Sequence, residues 1–260
     1  MLQGKNALVT GATGGLGLAL AGRLAQDGCN VVLNGLLPRE DMVAALDGLK
    51  ADGPASALYV QADLSDPDKI AHLMKTASAA FGPVDILVNN AVVRHFAPLE
   101  AFPVERWDEA LAVNISAPFH TIRLALPGMR AKGWGRIINM GSPYSFFATA
   151  NRVDYITTKT ALLGLTRAVA IETAGTDITC NAICPGTLPT PAIEARIAHM
   201  AGERAISIED ATRLYLADRQ PGGRFISLEA VAALVTFLCG PTSREISSAA
   251  LPVDSAWTVS

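Results

Sequence analysis

The glycine-rich segment 10–17 constrains the fold of this chain more than any other feature. It follows a short apolar run and opens a helical stretch, 16–26. Strand, glycine turn and helix form the context of a dinucleotide-binding site. Gly11 permits the tight turn, Gly15 lets a pyrophosphate approach the backbone, and Gly17 lets the helix pack closely on the strand. The segment therefore predicts a βα unit whose helix N-terminus faces phosphates.

Apolar runs alternate with helical stretches along the rest of the chain. This alternation predicts a parallel sheet with helices on both faces and right-handed crossovers. A length of 260 residues, half of them apolar, suits one α/β domain. Such a sheet binds ligands outside the carboxyl ends of its strands. The predicted strands lie near 6–10, 30–34, 56–61, 84–89, 135–140, 177–183 and 249–253.

Tyr155 and Lys159 lie four residues apart, about one helical turn, so they share a helix face. A nearby ammonium is expected to lower the pKa of the phenol from its ordinary value of about 10 and to favour proton exchange near neutral pH. Ser142, thirteen positions upstream, is expected to hold a substrate oxygen. The alternative is an exposed surface pair, but the glycine-rich segment favours an acid/base centre.

The region between Pro185 and Phe225 stands apart from the alternating pattern. It contains two helical pieces, 191–200 and 208–216, followed by a segment rich in Pro and Gly. An insertion at the ligand end of the sheet predicts a lid over the substrate. A static flank that only packs against the domain is the alternative.

Composition excludes several classes of partner. A formal charge of −3 and a pI near 5.8, with Lys and Arg scattered, favour no nucleic acid ligand. The start of the chain lacks the apolar stretch of a signal peptide, and no run approaches the roughly 18 apolar residues that span a bilayer. We therefore expect a cytoplasmic protein without a membrane partner.

Cys180 and Cys184 fall on one face of a strand and are expected to pack in the core, so no metal site is predicted.

Taken together, these motifs are similar to those of the short-chain dehydrogenases/reductases. The order is Thr-Gly-x3-Gly-x-Gly, Asn89-Asn90-Ala91, an Asn in the helical stretch 104–132, Ser142, Tyr-x3-Lys and Pro185-Gly186, over nearly the whole chain. The resemblance implies one Rossmann-type doubly wound domain over 1–260, with a seven-stranded parallel sheet and a lid at about 187–225. It also implies interconversion of a secondary alcohol and a ketone with NAD(P). The implied catalytic residues are Ser142, Tyr155, Lys159 and Asn114, the last as a relay that holds a water near Lys159.

For the cofactor, the resemblance favours NAD without excluding NADP. Neither Asn34 nor Leu36, at the end of the second strand, is acidic or basic. Position 14 is Gly, whereas NADP-preferring relatives often carry a basic residue there. Arg39 is close enough in sequence to reach a phosphate. The implied cofactor-binding residues are Gly11, Thr13, Gly15, Leu16, Gly17, Leu36, Asp63, Leu64, Asn90, Ala91, Tyr155, Lys159, Pro185, Gly186 and Leu188.

Within the family, the chain resembles bacterial D-3-hydroxybutyrate dehydrogenases. At the positions where those enzymes hold the substrate carboxylate, it carries three arginines and a phenol in place of Gln, His, Lys and Gln. These residues are Arg94, Tyr144, Arg152 and Arg196, and Thr187 replaces an aromatic residue. Guanidinium matches carboxylate and sulfonate oxygens. The predicted substrate is a small anionic hydroxy acid or keto acid, 3-hydroxybutyrate-like or larger and more charged.

Two other functions stay open at this point. One is an NADP-dependent ketoreductase for a neutral or carrier-bound ketone, with Arg39 governing cofactor choice. The other is a non-catalytic dinucleotide-binding sensor, against which the complete set of catalytic residues argues. The resemblance further implies a homotetramer formed through the helical stretches 104–132 and 155–174 and through the last strand. The second stretch is apolar on more than one face.

Overall fold

Seven strands form one parallel sheet within residues 2–51 and 56–260, the part of the chain that the computed structural model describes. The order across the sheet is β3-β2-β1-β4-β5-β6-β7, and every neighbouring pair is parallel. The order reverses between β1 and β4, so a ligand crevice is expected where these two strands end. The predicted sheet is confirmed. The strands are β1 (Asn6–Val9), β2 (Asn30–Gly35), β3 (Ala57–Gln61), β4 (Ile86–Asn89), β5 (Trp134–Met140), β6 (Asp177–Pro185) and β7 (Ala250–Val253).

Helices cover both faces of the sheet. Side chains alternate across each strand, so Ala7 and Val9 pack on the face covered by α1 and α9, while Leu8 packs on the face covered by α3 and α5. Two apolar layers therefore enclose the sheet, as the alternating pattern predicts. The helices are α1 (Gly15–Gln26), α2 (Val43–Ala51), α3 (Pro67–Phe81), α4 (Val104–Leu111), α5 (Ala117–Lys132), α6 (Val153–Glu172), α7 (Pro191–Arg204), α8 (Ile208–Ala217) and α9 (Leu228–Cys239).

The stretch expected as one helix over 104–132 is divided. A π-helical turn, Ala112–Ser116, separates α4 from α5 and contains Asn114. A π-turn adds about one residue to the helical repeat, often at a functional site. Apolar periodicity did not reveal the insertion because one extra residue shifts the pattern by less than a turn.

The segment between β6 and α9, residues 187–225, is called the lid segment below. Its helices α7 and α8 pack on each other through a small apolar cluster that includes Ile197, Ala201 and Ala211. Gln220, which is 1% exposed, joins the segment to the end of β6: its side chain accepts a hydrogen bond from the backbone N–H of Thr187 and donates one to the carbonyl of Arg224. The segment is thus fixed at its base beside the cleft.

The surface of α5 and α6 carries exposed apolar side chains, among them Phe119 and Ile171. These helices are the ones through which the tetramer is predicted, and the tetramer stays a prediction.

No helix within the described residues is long and apolar enough to cross a membrane. Across the same residues, no group of three or more His, Cys, Asp or Glu side chains is arranged to hold a metal ion.

Candidate active site

A cleft of about 670 Å³ opens at the carboxyl ends of the strands. A volume of this size is typical of small-molecule and cofactor sites. Every residue that the resemblance assigns to the cofactor lines this cleft, as do Ser142, Arg94, Tyr144, Arg152 and Thr187. Two predicted residues do not: Asn114 lies buried behind the wall, and Arg196 lies on the exposed surface of α7.

Hydrogen bonds join the glycine turn after β1 to the end of β4. The Thr10 hydroxyl accepts from the backbone N–H groups of Asn90 and Ala91, at 2.9 and 3.1 Å. The Asn90 amide donates back to the carbonyls of Thr10 and Gly11, at 3.0 and 2.9 Å. A Cβ on Gly17 would lie 2.2 Å from the Gly11 carbonyl oxygen, so only glycine permits this packing.

The opposite side of the same turn has room for phosphates. A Cβ built on Gly14 or on Gly15 meets no atom within 4 Å, and both residues line the cleft. Gly14 is the N-cap of α1 and supplies no side-chain acceptor to the first turn of the helix. Free helical N–H groups facing open space bind anions. The residues of this turn therefore fit the pyrophosphate of a nicotinamide dinucleotide.

Tyr155, Lys159 and Ser142 meet at the centre of the cleft. The Lys159 ammonium is buried, donates to the Met140 carbonyl at 2.5 Å and lies 5.7 Å from the centroid of the Tyr155 ring. The Ser145 hydroxyl donates to the Lys159 carbonyl at 2.9 Å and accepts from the Ser142 backbone N–H at 3.3 Å. The loop that carries Ser142 is thereby attached to the helix that carries the tyrosine and lysine.

The expected lowering of the phenol pKa by Lys159 is wrong for this structure. Burial raises the pKa of Tyr155 above its ordinary value, while a hydrogen bond with Ser142 and the charges of Arg94 and Arg152 act in the opposite direction. Burial also lowers the pKa of Lys159 to about 8. Residue spacing shows that Tyr155 and Lys159 share a helix face, but it does not show that both are buried. Burial disfavours the phenolate and the ammonium alike, because each ion loses its hydration.

Asn114 holds the backbone that follows β4. Its amide donates to the Val93 carbonyl at 2.9 Å and to the Thr158 hydroxyl at 3.1 Å, and its oxygen accepts from the Val93 N–H at 2.9 Å. Both amide hydrogens are therefore engaged. Any bound water of the predicted relay would use a carbonyl lone pair of this residue rather than an amide hydrogen.

A buried acid next to Tyr155 was missed by the sequence reasoning. Asp154 is 0% exposed and accepts from the backbone N–H and the Nδ1 of His95, at 3.0 and 2.9 Å. The other ring nitrogen of His95 lies 3.5 Å from Glu109. This contact fixes the segment bearing Arg94 against the start of α6. The two residues are 59 positions apart, so no local pattern indicated the pair.

Arg152 is half-buried beside Tyr155. Its guanidinium stacks on Phe96 at 3.9 Å and lies 5.5 and 5.7 Å from the ring centroids of Tyr144 and Tyr155. Burial lowers its pKa. Within the described residues it forms no ion pair, and Arg94, at the exposed rim, forms none either. The cleft thus presents positive charge that no described acidic residue neutralises.

The structure does not bring Arg196 to the cleft, which corrects the sequence prediction. The buried side of α7 is formed by Ile193, Ile197 and Ala201, which pack within the lid segment, and Arg196 falls off that stripe. Arg219, which the sequence reasoning did not single out, lines the cleft together with Tyr215. The face of α7 on which Arg196 lies depends on how the helix is rotated about its axis, and the position of Arg196 in the sequence does not determine that rotation.

Comparison with known proteins identifies the family of this chain. The family model described as short chain dehydrogenase matches residues 5–201. The chain belongs to the short-chain dehydrogenases. As a member of this family with Ser142, Tyr155 and Lys159 in one cleft, it is an oxidoreductase that uses a nicotinamide dinucleotide.

Similar members of the short-chain dehydrogenases include two hydroxy acid enzymes. The chain is 40% identical over 261 residues to D-beta-hydroxybutyrate dehydrogenase of Cupriavidus necator, covering 99% of each protein. It is 40% identical over 254 residues to the Rhizobium meliloti enzyme of the same name, covering 98% of each. Among solved structures, L-sorbose reductase from Gluconobacter frateurii, complexed with NADPH and L-sorbose, superposes with a TM-score of 0.94 at 27% identity, over 99% of this chain and 98% of that one.

We predict that Gly17→Ala abolishes dinucleotide binding. The new methyl group would lie 2.2 Å from the Gly11 carbonyl and 2.7 Å from the Asn90 amide, which forces the turn away from the helix. Titration of NADH fluorescence measures the loss. Gly22→Ala on the same helix is the matched control, because its methyl group would lie at an ordinary 3.6 Å from Leu49. Affinity of Gly17→Ala equal to that of the control would contradict the assigned role of the turn.

Proposed function

We propose that this enzyme is an NAD-dependent dehydrogenase of small hydroxy acids, oxidising a secondary alcohol near an anionic group to a ketone and catalysing the reverse reaction. The observation that carries the proposal is the half-buried guanidinium of Arg152, which stacks on aromatic rings beside Tyr155 and has no acidic partner among the described residues. The relatives named D-beta-hydroxybutyrate dehydrogenase, 40% identical over nearly the full chain, support the same substrate class.

The physical basis is the cost of burying a charge alone. A cation withdrawn from water loses hydration, and an anion bound next to it restores favourable interaction. Guanidinium presents a planar fork of N–H donors that matches a carboxylate, and such charge-assisted hydrogen bonds are the strong ones. Arg94, whose charge acts on both Arg152 and Tyr155, adds a second donor at the rim. An acid bound here has its hydroxyl close to the catalytic tyrosine.

The reaction follows from the groups around that hydroxyl. Ser142 and Tyr155 hold the substrate oxygen by hydrogen bonds, and the phenolate of Tyr155 accepts its proton during oxidation. The bound nicotinamide supplies the hydride acceptor. Lys159, with a pKa of about 8, lies behind the phenol and exchanges the proton onward. Asn114 keeps the segment after β4 in place and offers a carbonyl oxygen to the water of the relay.

The adenosine end of the cleft favours NAD. Its lining at the ends of β2 and β3 includes Leu36, Leu37 and Asp63 but, within the described residues, no Lys or Arg. Arg39 is exposed and lies outside the lining. A 2′-phosphate would find no cation there and would face the carboxylate of Asp63.

We predict that kcat/KM for NAD, measured from initial rates, exceeds that for NADP by about tenfold or more. Equal values of kcat/KM would contradict the preference for NAD.

Replacing Tyr155 by Phe is expected to remove nearly all turnover while NADH still binds, because only the acid/base hydroxyl is lost. In the unmodified enzyme the raised pKa of Tyr155 leaves the phenolate a minority at neutral pH. The kcat/KM for alcohol oxidation should then rise with pH, by up to about tenfold per unit below that pKa. Initial rates of NADH formation between neutral and alkaline pH measure this. A flat profile, or a Phe variant that keeps turnover, would refute the mechanism.

Arg152→Gln is expected to raise KM for 3-hydroxybutyrate, lowering kcat/KM by about 10- to 100-fold, because a charge-assisted bidentate contact is lost. The control is Arg213→Ala on α8, an exposed arginine paired with Glu209 and Asp210. Steady-state kinetics with both variants compare the two positions. If Arg152→Gln and Arg213→Ala behave alike, Arg152 does not bind the carboxylate.

A further inference from the structure

The cleft contains another guanidinium on the wall formed by the lid segment. Arg219 is half-buried, lines the cleft and stacks on Tyr215 at 4.6 Å from the ring centroid. Its Nη1 donates to the Tyr215 carbonyl at 2.8 Å. No residue described in the structure forms an ion pair with it. Most of its five N–H donors are therefore left for a ligand.

The position of Arg219 is fixed by the residue that follows it. Gln220, fully buried, joins the lid segment to the backbone of Thr187 at the end of β6. Arg219 is thereby held on the Thr187 side of the cleft, whereas Arg152 belongs to the start of α6. Tyr215 stacks against Arg219, and its phenol also acts electrostatically on Arg152.

The acidic residues that line the cleft do not neutralise this charge. Asp63, at the adenosine end, accepts hydrogen bonds from the backbone and hydroxyl of Ser65. Glu109 accepts from Arg106 at 2.8 Å and lies near His95. The substrate half of the cleft therefore holds two separate sources of unneutralised positive charge, Arg152 with Arg94 on one wall and Arg219 on the other.

We propose that the substrate carries two anionic groups, a hydroxy dicarboxylate or its keto form. This inference rests on the proposed function and extends it. One carboxylate binds Arg152 and Arg94, and the second, at the far end of the carbon chain, binds Arg219. Thr187, a small side chain that is 8% exposed, leaves space for the longer chain beside Arg219. A single carboxylate leaves one of the two charged sites without a partner.

Matched pairs of substrates test this. Each pair has the same chain length and differs only in the second carboxylate: 3-hydroxyvalerate against 3-hydroxyglutarate, and 3-hydroxyhexanoate against 3-hydroxyadipate. We expect kcat/KM for at least one dicarboxylate to exceed that of its partner by about tenfold or more, the size of one charge-assisted contact. Arg219→Ala should lower that value by about 10- to 100-fold and change the monocarboxylates by less than about twofold. Arg219→Lys, which keeps the charge, should lose less.

Inhibition gives a readout that does not depend on turnover. Glutarate should inhibit the enzyme more strongly than valerate, and Arg219→Ala should abolish the difference while Arg213→Ala on the same side of the fold preserves it. Equal rates and equal inhibition within each pair, unchanged by Arg219→Ala, would overturn the second anionic site and leave the proposed function standing. If neither series is oxidised, and if neither glutarate nor valerate inhibits, the proposed function fails together with this inference.

Discussion

The hydrogen bonds between Thr10 and Asn90 hold together the carboxyl ends of β1 and β4, where the strand order reverses. The rest of the site depends on this junction. It closes the glycine turn against α1, leaves the other side of the turn open for phosphates, and sets the direction of the chain that carries Arg94. Asn114 and Asp154 then fix that same chain from the π-helical turn and from the start of α6. The cleft is thus built by polar contacts between strand ends, while the apolar layers hold the sheet.

Unneutralised positive charge is the second property of the cleft. Lys159, Arg152 and Arg219 are each partly or fully withdrawn from water, and among the described residues none has a carboxylate partner. Such an arrangement costs folding free energy, because a charge withdrawn from water without a partner loses its hydration. Charged side chains are for this reason seldom buried unpaired. Groups of this kind are concentrated at functional sites, where the ligand supplies the missing charge. Lys159 serves the proton exchange with Tyr155, while the proposed anionic substrate accounts for Arg152 and Arg219, which a neutral ketone would leave without a partner.

The order of elements was predictable from the sequence because a doubly wound sheet needs only alternating apolar runs, and strand ends fix which residues share an edge. Gly11, Asn90, Ser142 and Pro185 fall in one cleft for that reason. Properties that depend on burial or helix phase were not predictable. The pKa direction of Tyr155, the exposure of Arg196 and the π-turn at Asn114 belong to this group. The contact of Asp154 with His95 joins distant parts of the chain and left no local signal.

The most direct test of the account compares one alcohol with and without its charge. Initial rates of NADH formation by the unmodified enzyme are measured with 3-hydroxybutyrate and with its methyl ester, which has the same carbinol and nearly the same shape. If Arg152 and Arg94 bind the substrate carboxylate, kcat/KM for the acid exceeds that for the ester by about 100-fold, the size of two charge-assisted contacts. An ester oxidised as well as the acid, or better, would show that the cleft does not select an anion and would contradict the account.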